Sequence, residues 1–158
     1  MLSWLGSTLS GKIVSIFVIS MLPIVELRGA IPYGAARDLP IWLVYLVAVA
    51  GNMVPVPFII IFLRRIFAWM EKKPRTGKLV RRLTEKAHLH GEKVKKYREL
   101  GLFLLVAIPL PGTGAWTGSL VASVLDIRLR RAFPIILAGV ATAGFIMIAV
   151  SYGVKSFF

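Results

Sequence analysis

Apolar residues run almost unbroken through four stretches of this chain, and two of the four are interrupted at their centres. Ile41–Leu63 and Ala132–Val154, about 23 residues each, carry no charge. Roughly 20 apolar residues cross a bilayer as a helix, so each predicts one transmembrane helix. Ile13–Ala36 and Leu102–Leu125 are about 24 residues each. The first carries Pro23, Glu26, Arg28, Gly29 and Pro32, and the second carries Pro109, Pro111, Gly112 and Gly114. Proline removes a backbone donor and glycine adds freedom, so neither centre is expected to be a continuous helix. Broken backbone at membrane depth persists only where protein buries it or a wet cavity receives it. Two interrupted segments in corresponding places of two halves point to a transporter's binding site.

Each broken segment reads as a re-entrant hairpin with arms of about 12 residues. At 1.5 Å rise an arm reaches about 18 Å, a little past the centre of a ~30 Å core. The tips are expected near Glu26–Arg28 and Pro109–Gly114. A faint repeat accompanies them: Gly29-Ala30-Ile31 resembles Gly114-Ala115-Trp116, and Asp38 precedes Gly51 by the distance at which Asp126 precedes Gly139. The predicted fold is an all-α integral membrane domain over 1–158. It has two inverted repeats, each a hairpin (13–36, 102–125) followed by one transmembrane helix (41–63, 132–154). Pro55 and Pro57 should kink the first span, and Asn52 near its middle needs a hydrogen-bonding partner. Asp38 and Asp126 are expected to cap the spans they precede.

Charge sets the orientation. The chain carries a net +13, and residues 64–98 hold 13 Lys/Arg against three Glu. Basic flanks stay on the cytoplasmic side. The segment 64–98 is therefore expected to be cytoplasmic, with an amphipathic surface helix over Gly77–Tyr97 whose Leu79, Val80, Leu83, Ala87 and Val94 recur at helical spacing. No nucleic-acid motif accompanies the basic stretch, so no nucleic-acid partner is expected. The first residues lack the form of a removable leader, and Trp4, Trp42 and Trp69 look like interface anchors. With 57% hydrophobic residues, the chain reads as a multi-pass membrane protein; its expected location is the cell membrane of a prokaryote.

Glu26 and Arg28 are the residues to account for, because a charge near mid-bilayer costs several kcal/mol. At i and i+2 they would not face each other on a helix. A carboxyl set between desolvation, which favours its neutral form, and an arginine, which favours its charged form, suits proton coupling. Arg28 offers a planar fork for phosphate or carboxylate. At the second tip, Pro111, Gly112, Thr113, Gly114, Trp116 and Thr117 combine inward-turning backbone N–H groups, hydroxyls and a flat apolar face, which fits an anion or polar headgroup. Close packing of a tight turn explains the glycines equally well. Arg128, Arg130 and Arg131 read as topology anchors that could also meet a lipid phosphate. His88 and His90 lack further metal ligands, and no nucleophile–base pair is visible. No metal, no cofactor and no enzymatic activity are expected.

The stretches Glu26-Leu27-Arg28-Gly29-Ala30-Ile31-Pro32 and Pro109-Leu110-Pro111-Gly112-Thr113-Gly114-Ala115-Trp116-Thr117-Gly118 resemble the two signature motifs of the small multidrug export protein family. That family looks distantly related to the DedA/VTT membrane protein superfamily. The resemblance implies opposed re-entrant hairpins and a proton-linked membrane role, in some members translocation of polyprenyl-phosphate or phospholipid. By motif position it makes Glu26 the hairpin acid, Arg28 its basic companion, and Arg128, Arg130 and Arg131 the arginines after the second hairpin. The second tip lacks an acid, which departs from a symmetrical relay.

The leading reading is a proton-linked flippase for an anionic lipid; export of small hydrophobic cations is the alternative, and the basic residue beside the acid argues against it. An anionic lipid such as a polyprenyl phosphate would use Arg28 and the second tip's donors. Small hydrophobic cations would exchange with protons on Glu26, with Phe17, Tyr33 and Trp116 supplying cation–π contacts. A non-transporting structural protein is the third reading. Membrane lipids and protons are the remaining expected partners. Two full crossings make too thin a wall to enclose a polar path, so a homodimer is expected.

Overall fold

The computed structural model describes residues 8–71, 92–110 and 112–157. Among them seven helices and no strands form: α1 Leu9–Met21, α2 Glu26–Ala36, α3 Ile41–Met53, α4 Pro55–Glu71, α5 Glu92–Ala107, α6 Ala115–Val124 and α7 Leu129–Phe157. The Thr8 hydroxyl opens α1 by accepting the Gly11 N–H at 3.2 Å, the usual work of a threonine before a helix. Pro23 ends it, because the residue before a proline is pushed out of the helical region, and Leu22 is indeed extended at φ −71°, ψ 136°.

The first hairpin is α1 and α2, with the break at residues 22–25 rather than at Glu26–Arg28. Glu26 starts the second arm, and α2 continues through Pro32. The second hairpin is α5 and α6, broken at residues 108–114 as the prolines and glycines predict. Its first arm begins at Glu92, so residues 92–97 run straight into the hairpin instead of ending a separate surface helix; the rest of the expected amphipathic helix, from Gly77 to Gly91, lies outside the described residues. Pro55 opens α4 and separates it from α3 at Val54. The other long helix, α7, runs through Pro134.

Taken through its kink, Ile41–Met70 is a 30-residue apolar helix, and Leu129–Gly153 is one of 25 residues, both with mean hydropathy 2.3. Only 39% and 28% of their most apolar windows are buried, too little for core helices of a soluble protein. Their outer faces instead offer Phe58, Ile61, Phe62, Phe145 and Val150 to the surroundings. Trp42 and Trp69 are exposed near the two ends of the first long helix, about 40 Å apart at helical rise, the thickness of a bilayer with its headgroups.

The packing places the hairpins between the long helices. α1 lies on α3 and α5 lies on α7; crosswise, α2 lies on α7 and α6 on α4. The core runs through all of them, with Ile16, Ile31, Val44, Ile60, Leu102, Val106 and Ile136 fully buried. The two long helices touch the first arms through glycine. A Cβ on Gly51 would sit 2.6 Å from the Phe17 carbonyl oxygen, and one on Gly139 would sit 3.1 Å from that of Phe103.

The second arms close with one and the same turn. After α2, Asp38 N–H donates to Ala35 and Leu39 N–H to Gly34; after α6, Asp126 N–H donates to Ser123 and Ile127 N–H to Ala122. Asp38 and Asp126 take left-handed backbone, φ 57° and 52°. They therefore end the preceding helices. For Asp38 the expectation that it caps the following span is corrected: Pro40 precedes α3 with no side-chain cap.

Candidate functional site

The break in each hairpin leaves orphaned backbone groups, and the other hairpin supplies their partners. The start of α6 has free N–H groups and a partial positive charge. Its own N-cap position is Gly114, φ 133°, which has no side chain to offer. Glu26 takes that role from across the interface: its Oε1 accepts the Trp116 backbone N–H at 3.2 Å, and the Ala115 N–H also faces the carboxylate. Glu26 is 3% exposed. A Cβ on Gly114 would come within 2.6 Å of the Glu26 carboxyl carbon, so glycine at 114 is what admits the carboxylate.

Arg28 does the converse just past the end of α5, where the partial charge is negative. Its Nη1 donates to the Leu110 carbonyl. Its Nη2 donates to Thr113 Oγ1 at 2.7 Å and reaches the Ile108 carbonyl at 3.4 Å. The Thr113 hydroxyl lies 2.9 Å from both carbonyls and can donate to one at a time. Thr117 Oγ1 donates to the Gly112 carbonyl at 2.8 Å, and the Trp116 indole N–H donates back to Met21 at the end of α1, 3.0 Å.

Acid and base thus diverge, as two positions at i and i+2 should, but both turn to the opposite tip. Glu26 does so from left-handed backbone, φ 49°. That conformation is strained for a residue with a Cβ and persists only where its surroundings hold it.

One neighbour is unsatisfied. Asn52 on α3 is fully buried, lies beside the Glu26 carboxyl, and leaves both Nδ2 and Oδ1 without a partner. Its sequence position marked it as needing a bond inside the bundle, but only the fold reveals the acid next to it.

The predicted site residues divide accordingly. Glu26, Arg28, Gly112, Thr113, Gly114, Trp116 and Thr117 come together at the paired tips. Gly29 packs within the first hairpin, where an added Cβ would run into the Val25 side chain. Pro111 lies outside the described residues. Arg128, Arg130 and Arg131 are exposed at the other end of α6, about 15 Å away along a ten-residue helix, and do not join the tips. There Arg131 lies 3.7 Å from Glu99, and Arg64 pairs with the side chain and carbonyl of Asp126. Tyr33, expected in an aromatic cluster, carries Arg37 over its ring at 4.9 Å.

Residues 26–146 match the family described as "putative small multi-drug export protein", a match that begins at the buried acid and ends within α7. The chain belongs to this family. No curated protein and no solved structure matches it. Together with the two long, outwardly apolar helices, membership in the small multi-drug export family makes the chain a membrane protein.

Proposed function

We propose that this protein is a proton-coupled exporter of small hydrophobic cations, acting in a prokaryotic cell membrane, and not an enzyme. The carrying observation is Glu26, a carboxylate buried where two broken hairpins meet. A charge at such depth is functional by default. Because the carboxylate is held by backbone donors, protonation would weaken its grip on α6 and let the tips part, exposing an acid that can take a proton or a cation in turn.

The halves act as inverted repeats with re-entrant hairpins opposed at mid-membrane. The matched turns at Asp38 and Asp126, the crosswise packing, and the glycines at 51 and 139 support that arrangement, which is the usual frame of alternating access. The basic segment 64–98 faces the cytoplasm, and two copies together would complete the wall of the path.

The polyprenyl-phosphate reading receives no such support. It needs Arg28 and the second tip's N–H groups to be available to a phosphate, and both are engaged by the protein itself. That engagement favours a second reading, in which the pair only locks the tips together and nothing is transported.

The test is accumulation of a fluorescent hydrophobic cation by proteoliposomes under an imposed pH gradient. Wild type is expected to accumulate it, and Glu26→Gln to remain folded while losing the dependence on the gradient. No gradient-driven movement by folded wild type overturns the exporter and leaves the structural reading. Movement of a labelled polyprenyl phosphate instead, abolished in Arg28→Ala, returns the flippase.

A further inference from the structure

Asn52 is the only asparagine in the chain, and there is no glutamine. The protein has one side-chain carboxamide, and it sits fully buried against the one acid that the described residues bury. Neither of its polar atoms makes a hydrogen bond of normal geometry, although the amide lies within reach of the Glu26 carboxyl. A buried amide left that way costs free energy that an apolar residue of the same size would not. Packing does not explain it. A carboxamide holds a donor and an acceptor on one carbon, and half a turn about its last torsion exchanges them.

We propose that Asn52 is a positioning residue that follows the protonation state of Glu26. With the carboxyl ionised, Nδ2 donates to it. With the carboxyl protonated, the new O–H donates to Oδ1, and the acid can release the α6 backbone without leaving a bare hydroxyl in a dry interior. Three elements face that carboxyl: α2 with the Arg28 guanidinium, α6 with the N–H groups of Ala115 and Trp116, and α3 with Asn52. The backbone groups can only donate and Arg28 stays charged, so Asn52 is the one of these that can serve both states. On α1, Lys12 is about 13 Å from the tip at helical rise.

The proposal rests on Glu26 carrying the proton, and the test separates the two. Protein labelled with 15N-asparagine, in lipid nanodiscs, gives a single side-chain amide pair by NMR. Glutamate labelled at the carboxyl carbon reports Glu26, identified by the signal absent from Glu26→Gln. The expected result is that the Asn52 amide moves with pH at the midpoint of the Glu26 carboxyl and stands still in Glu26→Gln. A Glu26 that titrates while Asn52 stays fixed overturns the positioning role and leaves the proton carrier intact, as does an Asn52 shift that persists in Glu26→Gln. A Glu26 that never titrates in the folded protein overturns both. In proteoliposomes, Asn52→Leu is expected to move the pH profile of cation accumulation, with Asn52→Gln restoring it in part; an unchanged profile in folded Asn52→Leu sinks the role.

Discussion

Arg28 Nη2 donates to Thr113 Oγ1 at 2.7 Å, joining two hairpin tips that are 85 residues apart in the chain. The same guanidinium meets the carbonyls of Leu110 and Ile108. The bonds close a helix end that no residue of its own hairpin closes with charge. The converse contact, Glu26 on the Trp116 N–H, closes the next helix start. Two charges two residues apart therefore answer two opposite partial charges on the other hairpin.

Removing Arg28 should expose that dependence. Arg28→Ala leaves the Ile108 and Leu110 carbonyl oxygens without their charged donor. Charge-assisted bonds contribute ~1.5–3 kcal/mol each, but the carbonyls keep the Leu110 and Thr113 N–H groups and the Thr113 hydroxyl as donors, so about 2 kcal/mol of destabilisation is expected. Arg28→Lys supplies the charge but not the fork and should recover less than half. Thermal unfolding in detergent reads both. An Arg28→Ala protein as stable as wild type would show that the tips are not held together by this residue.

The two glycines of the second tip should differ sharply. Gly112 has φ 81° but nothing within 4 Å of an added Cβ, whereas Gly114 has φ 133° and the Glu26 carboxylate in the way. Gly112→Ala should cost about 1 kcal/mol of backbone strain. Gly114→Ala should cost ~3 kcal/mol or more, because it also displaces a buried carboxylate from its donors. If Glu26→Ala tolerates Gly114→Ala better than wild type does, in a double-mutant cycle, the clash is with the carboxylate.

These contacts explain what the sequence could and could not disclose. Both breaks, both long helices and the kink at Pro55 were legible, because proline and uncharged length act locally. The break before Glu26 was displaced by a few residues, since Pro23 alone ends α1 while Pro32 is tolerated inside α2. Glu26 and Arg28 stood out as charges at depth. Their partners did not, because a backbone N–H or carbonyl has no sequence signature; only a glycine at 114, with no side chain to cap α6, hinted that a cap must arrive from elsewhere. The left-handed aspartates misled for a related reason: an Asp between two helices can end one or start the next, and only backbone angles decide.

At the basic end, Arg64 and Asp126 should show modest coupling. The pair is half-exposed, with side chains 33% and 50% accessible, and Arg131–Glu99 is looser at 3.7 Å and as accessible. Solvent screening limits such pairs to ~0–1 kcal/mol. Double-mutant cycles are expected to give about 1 kcal/mol for Arg64–Asp126, whose side chains meet in a direct hydrogen-bonded ion pair, and near zero for Arg131–Glu99. The first value should fall as salt rises. Equal couplings would mean that the closer approach of the Arg64 and Asp126 side chains contributes nothing extra.

Tyr152 stands 88 residues after Arg64, the same separation as Asp126 from Asp38. Its hydroxyl donates to the Leu39 carbonyl at 3.0 Å, in the turn that matches the one Arg64 holds. One half clasps the other's turn with an ion pair and the other does so with a neutral hydrogen bond. Tyr152→Phe should therefore cost ~1 kcal/mol and, unlike Arg64→Ala, show no salt dependence. A salt-sensitive loss in Tyr152→Phe would show that the two clasps do not differ in this way.

The matched glycines give the sharpest check on whether the two halves are built alike. Gly51→Ala would press a methyl against the Phe17 carbonyl oxygen at 2.6 Å, and Gly139→Ala would press one against Val106 Cβ at 2.7 Å and the Phe103 carbonyl oxygen at 3.1 Å. Backbone cannot yield as a side-chain end does, so α3 must back away from α1, and α7 from α5. Small-residue contacts of this kind set how closely membrane helices approach. Each substitution should cost about 2 kcal/mol, in the middle of the range for overpacking. Gly101→Ala and Gly153→Ala, with nothing within 4 Å, should instead be neutral or slightly stabilising, since alanine favours helix over glycine by ~1 kcal/mol. Unfolding of the four variants side by side in one detergent is the measurement. Equal losses at 51 and 139 with none at 101 and 153 are expected of two like halves. A tolerated Gly139→Ala beside a damaging Gly51→Ala would mean that only the first half depends on close approach, and the correspondence between the halves would then be confined to their turns.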